Sequence, residues 1–176
     1  MVWNRILKMY LIAGVCIVAF LSVCLYLCLY STPNIVGDIS KIVEHIHKNY
    51  ANKNSYWGLD NKALDKLQTL NHNQNQVINS FGKTILVGEG EGGNTIMPGE
   101  KSFDISFPGL SKKQCIYAAT AVFDSPVTLG LLQMQIVTSS ARQVFTWGAD
   151  KYKLPVVSQQ ARELCADNAT VIWTFE

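Results

Sequence analysis

The stretch Met9 to Tyr30, MYLIAGVCIVAFLSVCLYLCLY, holds no charged residue and no proline. At about 1.5 Å per helical residue it is long enough to cross a hydrocarbon core of roughly 30 Å. The bilayer interior offers no water to backbone N–H and C=O groups, so such a segment crosses it as a helix. Whatever follows is the cargo of one membrane helix. Arg5 and Lys8 stand before the run, and Thr32 to Asp38 beyond it carry no positive charge. The positive-inside rule therefore predicts a cytoplasmic N-terminus and an exported head. The run exceeds the apolar core of a cleaved signal peptide, and Leu29, Tyr30 and Ser31 make no small-x-small cleavage site. A retained, single-pass anchor is expected.

The rest of the 176 residues is the size of one globular domain. A net charge of +2 with no basic run leaves no electrostatic footprint for nucleic acid. Cys16, Cys24 and Cys28 lie inside the apolar run and read as small apolar residues; Cys115 and Cys165 are the two in the head. In an exported head that pair suggests a disulfide, against the alternative of two buried thiols. Closing a loop of roughly 50 residues would stabilise the head by about 4 kcal/mol.

Pro33 interrupts or kinks the helix, because it lacks an N–H and collides with the preceding turn. From Asn34 to Tyr50 a helical rhythm resumes. Ile35, Val36, Ile39, Ile42, Val43, Ile46 and Tyr50 share one stripe, with Asp38, Lys41, Glu44 and Lys48 elsewhere. Leu59 to Leu70 reads as a short helix opened by Asp60, Asn71 to Gln76 as a surface loop, and Thr84 to Val87 as a strand. Gly88 to Gly99 reads as loop. Phe103, Ile105 and Phe107 alternate with polar residues as in a half-buried strand that Pro108-Gly109 stops. Ser111 caps a helix to about Phe123, with Cys115 in its first turn. Thr128 to Thr138 and Val144 to Trp147 follow as strands, Ser158 to Cys165 as a helix, and Ala169 to Phe175 as the last strand. With no βαβ repeat, the expected class is α+β: a long N-terminal helix packed on an antiparallel sheet. The expected divisions are residues 1–8 as a cytoplasmic start, 9–30 as the transmembrane helix, 31–50 as its amphipathic continuation and 51–176 as the head.

Catalytic chemistry finds little to stand on. His45 and His47 are about 200° apart around a helix and do not face one metal, and His72 sits alone among amides. All three read as solvated surface histidines. Gly88 to Gly93, GEGEGG, lacks the lysine of a phosphate loop, and its glutamates would repel phosphate. It also lacks the spaced ligands of a calcium loop. No G-x-S-x-G, H-E-x-x-H or C-x-x-C occurs. No catalytic residue, metal or cofactor is assigned, and an enzyme is not expected.

Three stretches carry a family resemblance. Asn79-Ser80-Phe81-Gly82 leads into Thr84-Ile85-Leu86-Val87. Ser102 to Ser111, SFDISFPGLS, runs into Lys112-Lys113-Gln114-Cys115. Ala161, Cys165 and Asn168 precede Thr170 to Phe175, TVIWTF. In this order, behind an apolar helix and a proline-bearing continuation, they resemble the type IV pilin family and its type IVb group. The resemblance implies a pilin-like α/β roll in which one disulfide near the C-terminus, Cys115 to Cys165, staples a variable region. It also implies a bacterial inner-membrane anchor with a periplasmic head, or an extracellular head once in a pilus.

Prepilins carry a leader glycine just before the apolar helix and a glutamate five residues into the mature chain. Here the only glycine upstream is Gly14, the residue five beyond it is Ala19, and nothing from Met1 to Asn34 is acidic. This points to a minor pilin or pilin-like component rather than the bulk subunit. The expected function is therefore structural: a subunit of a type IVb pilus or a related secretion or conjugation filament, acting in assembly, initiation or adhesion. Its partners would be lipid, other pilin-like subunits and the assembly machinery. Ala13, Gly14, Ala19 and Ser22 would give the close helix contacts that association in lipid needs, with Pro33 setting the break. The alternative is an anchored periplasmic module that recognises a secreted protein or host surface without entering a filament.

Overall fold

Asn34 starts the head. Its side chain accepts the Gly37 N–H at 2.9 Å and caps a helix running Ile35–Tyr50. Gly37 preserves that cap, because a Cβ there would collide with the Asn34 side chain. The computed structural model describes residues 14–22, 33–65, 67, 70–73, 76–90, 101–123 and 129–176. The chain divides into two compact units, Met1–Pro33 and Asn34–Glu176.

In the first unit residues 14–22 are helical (α1). Val15, Ile17, Val18, Phe20 and Leu21 on it are all exposed. Residues 9–13 and 23–30 of the expected anchor lie outside the described residues. Among the described residues no helix is long and apolar enough to cross a membrane.

The second unit is built on the helix Ile35–Tyr50 (α2). Ile35, Ile39, Ile42, Val43 and Ile46 are buried in one core with Phe103, Ile105, Phe107, Met134, Trp173 and Phe175. Each such side chain contributes about 1.5–3 kcal/mol on burial, so this stripe decides where α2 lies. A five-stranded antiparallel sheet supplies the other side of the core. Its strands are β3 (Leu86–Glu89), β4 (Phe103–Leu110), β5 (Leu131–Val137), β6 (Arg142–Thr146) and β7 (Ala169–Phe175), in the order β3-β4-β7-β5-β6. The terminal strand is thus central. Ile105 lies opposite Trp173, and Trp173 opposite Met134. The mixed helix and antiparallel sheet are those expected.

Four local expectations are corrected. Among the described residues of Leu59 to Leu70 there is no α-helix but a 3-10 turn, Asn61–Leu64, capped by Asp60. Leu64 on that turn is buried, and so are Leu67 and Leu70 beyond it. Asn71 to Gln76 is not loop throughout: Asn71–Asn73 (β1) pairs antiparallel with Gln76–Ile78 (β2). Gly88 and Glu89 belong to β3, where Gly88 pairs with Asp104; residues 91–100 lie outside the described residues. Pro108-Gly109 does not stop β4, because the register shifts between Phe107 and Leu110 and Gly109 takes a φ of 68°. A bulge absorbs the proline there and the strand resumes at Leu110. The helices Lys112–Ala119 (α3) and Ser158–Leu164 (α4) complete the head. α3 ends four residues before Phe123.

Candidate functional site

Ser111 and Gln114 close a reciprocal capping box at the start of α3. From outside the helix, the Asp167 carboxylate accepts the Lys112 N–H at 2.8 Å. Cys115 follows in the next position of that turn series. Its disulfide runs to Cys165, the residue ending α4, across a Cα separation of 5.8 Å and 50 residues of chain. Both cysteines are buried, and Ala118, Ala119 and Ala161 are the small residues around them that let α3 and α4 approach. Of the two readings left open for Cys115 and Cys165, the structure contains the bridge. It encloses β5, β6 and the Leu154–Pro155 segment in one stapled loop.

A second tie was not visible in the sequence. Asp38, expected away from the apolar stripe, is buried on α2 and accepts both the N–H and the hydroxyl of Ser80, the former at 2.6 Å. Asn79 shapes the turn that delivers Ser80, since its side-chain oxygen accepts the Phe81 and Lys83 N–H groups at 2.9 and 3.1 Å. The Asn79–Gly82 stretch is therefore a turn latched onto the first turn of α2. A carboxylate suits that place because the helix N-terminus carries partial positive charge.

His45 and His47, expected as solvated surface groups, are each partly buried and each meet a main-chain oxygen. His45 Nε2 lies 3.0 Å from the Ala63 carbonyl, and His47 Nε2 lies 2.7 Å from the Glu176 main-chain oxygen. His47 also meets Phe103 edge-on. They tie α2 to the 3-10 turn and to the end of β7; the His72 side chain is outside the described residues. Among the described residues no three histidine, cysteine or acidic side chains converge on a metal position. Glu89 accepts the Gly58 N–H at 2.7 Å and so acts within the fold.

Below α2, Tyr56 packs between Tyr50 and Phe103, with ring centroids 5.6 and 4.8 Å away. Burial, then the Asp60 and Glu89 carboxylates, push the Tyr50 phenol above its ordinary range. Burial and then Glu176 do the same to Tyr56.

Of the residues assigned to helix packing, Gly14, Ala19 and Ser22 lie on α1 and are exposed. The Ser22 hydroxyl donates to the Val18 carbonyl at 2.8 Å, which satisfies it within the helix. Ala13 lies outside the described residues. Pro33 stands outside both helices, directly before the Asn34 cap, as its chemistry requires.

The described family PilS N terminal matches residues 30–176. No curated protein matches the sequence. Among solved structures, TcpA, a type IV pilin from Vibrio cholerae El Tor biotype, is similar at a TM-score of 0.52 and 12% identity, covering 80% of this chain and 96% of that one. The type IVb pilin from Salmonella typhi matches at a TM-score of 0.44 and 15% identity, over 78% of this chain and 97% of that one. The TcpA match shows the pilin fold, and the family match spans the head with all three stretches that carried the resemblance. The chain belongs to the PilS N-terminal family, and its head has the type IV pilin fold.

Proposed function

We propose that the chain is a membrane-anchored pilin-like subunit of a type IVb pilus or related secretion or conjugation filament. In this reading it is a minor or accessory component rather than the bulk subunit, and it is not an enzyme. The observation that carries the reading is α1. Five large apolar side chains stand exposed on the described turns of α1, ahead of a pilin-fold head that has its own core. Exposure of that kind calls for a lipid or helix partner. Residues 9–30 form the span, the head faces the periplasm, and Ala13, Gly14, Ala19 and Ser22 offer the close-approach face to neighbouring subunits.

A second reading is an anchored module that recognises a secreted protein or host surface from outside the filament. The lack of any acidic residue from Met1 to Asn34 favours it, since pilins dock on neighbours through a glutamate in the mature helix. Carbonate extraction of membranes together with N-terminal sequencing separates the possibilities. Retention in the membrane with processing inside Met1 to Val15 supports the subunit. Retention with Met1 intact supports the module, and release into the carbonate wash rejects the anchor common to both.

A further inference from the structure

Three polar residues stand between apolar neighbours on the strands, in Phe103-Asp104-Ile105, Leu132-Gln133-Met134 and Trp173-Thr174-Phe175. Side chains alternate along a strand, so the three share the face of the sheet opposite Ile105, Met134 and Trp173. Register makes them neighbours. Asp104 on β4 and Gln133 on β5 each stand opposite Thr174 on β7, which runs between them. Thr174 is fully buried, and neither flanking residue is more than 9% exposed.

This row has a direction. The Thr174 hydroxyl donates to Asp104 Oδ1 at 2.6 Å, and Gln133 Nε2 donates to Thr174 Oγ1 at 3.3 Å. A carboxylate has no proton to give, so the hydroxyl proton points at Asp104 and an Oγ1 lone pair at the Gln133 carboxamide. The hydroxyl is thus a nucleophile held between a general base and an acyl group. The terminal torsion of a glutamine is broad, and turning about it brings the carboxamide carbon to Oγ1. An amide is a poor acyl donor in water. Fixed orientation offsets that, since effective molarities of well-placed groups reach about 10⁵–10⁸ M. Burial also keeps out the water that would hydrolyse an ester.

We propose that Thr174 and Gln133 join in an intramolecular ester, a modification that the chain makes on itself in a single turnover. Asp104 takes the hydroxyl proton as Oγ1 bonds to the side-chain carbonyl carbon of Gln133. The C–N bond then breaks, the proton passes to the departing nitrogen, and ammonia leaves. No oxidant or co-reactant is consumed, and escape of ammonia into solvent makes the step one-way. The bond ties β5, inside the loop closed by Cys115 and Cys165, to the central strand β7 outside it.

The test is mass spectrometry of the full wild-type chain, purified from membranes in detergent and reduced. The expected species, counted from its mapped N-terminus, is lighter than its sequence by one ammonia. Trypsin places Gln133 in peptide 114–142 and Thr174 in peptide 163–176, the two that also hold Cys115 and Cys165. After reduction and alkylation only the ester keeps them joined, and hydroxylamine should part them. Thr174→Val and Gln133→Glu should lose no ammonia, while Thr174→Ser should keep the link. Asp104→Asn should slow its formation by about 10²–10⁴-fold. Disulfide formation in each variant reports that the head has folded. A wild-type chain with its disulfide formed, its full mass intact and the two peptides parting on reduction overturns the proposal, and leaves an unreacted hydrogen-bonded row. An ammonia loss that maps elsewhere, or a link that persists in Thr174→Val, overturns it as well.

Discussion

A carboxylate one turn into an amphipathic helix ordinarily faces water, and Asp38 does not. It is 8% exposed and holds two donors of Ser80, which lies 42 positions further along the chain. Periodicity placed it off the apolar stripe, yet it is buried beside Ile35, Ile39 and Ile42 on that helix. What periodicity lacks is the turn that comes to meet it, and such long-range polar partners leave no local trace. Asp38→Ala would leave the Ser80 N–H and hydroxyl without their acceptor, which predicts a loss of about 1.5–3 kcal/mol in denaturant unfolding. An unchanged midpoint would show the latch to be ornamental. The tyrosines give a pH dependence with a definite sign. Tyr50 and Tyr56 hold their protons above the ordinary value of 10.0 in the folded head, whereas the unfolded chain releases them there. Their stabilising contribution is complete below pH about 10 and is lost as pH rises through the raised values. Thermal melts between pH 8 and 11 should therefore fall steeply for wild type and less steeply for Tyr50→Phe combined with Tyr56→Phe. Parallel curves would contradict this.

Elements with a strong pattern were legible. The stripe of α2, the run Ala169–Phe175 and the capped start of α3 each combine hydrophobic period with a boundary residue, and each appears where those signals put it. The hairpin β1–β2 was hidden because asparagine and glutamine have low strand preference, so only the backbone pairing reveals it. The leucines of 59–70 announced burial but not the winding, since a three-residue spacing fits one face of either helix type over so short a span. The bridge between α3 and α4 lay between the two readings open to the sequence. Changing both Cys115 and Cys165 to Ser should lower head stability by about 2–5 kcal/mol while leaving membrane insertion intact. Two free thiols on non-reducing gels of exported protein would remove that expectation. Within α2, Ile42 is fully buried, and Ile42→Ala should cost about 2–5 kcal/mol through the cavity it opens. A loss under 1 kcal/mol would mean that α2 is not the pillar of this core.

At the scale of the molecule, the head and the segment before it are two units with different chemical demands. The head has its own core, continuous from α2 through the sheet to the stapled loop, and the starts of α2 and α3 are capped by side chains. Helix α1 does not, because its apolar side chains have no cover. That contrast separates a pilin-like subunit from an ordinary secreted domain of the same fold, since fold alone does not assign function. The most direct measurement is mass spectrometry of filaments sheared from cells and purified away from membranes. The proposed function predicts peptides from residues 34–176 in the filament fraction, in minor amount relative to the bulk subunit. Their confinement to the membrane fraction, with none in intact filaments, would contradict it.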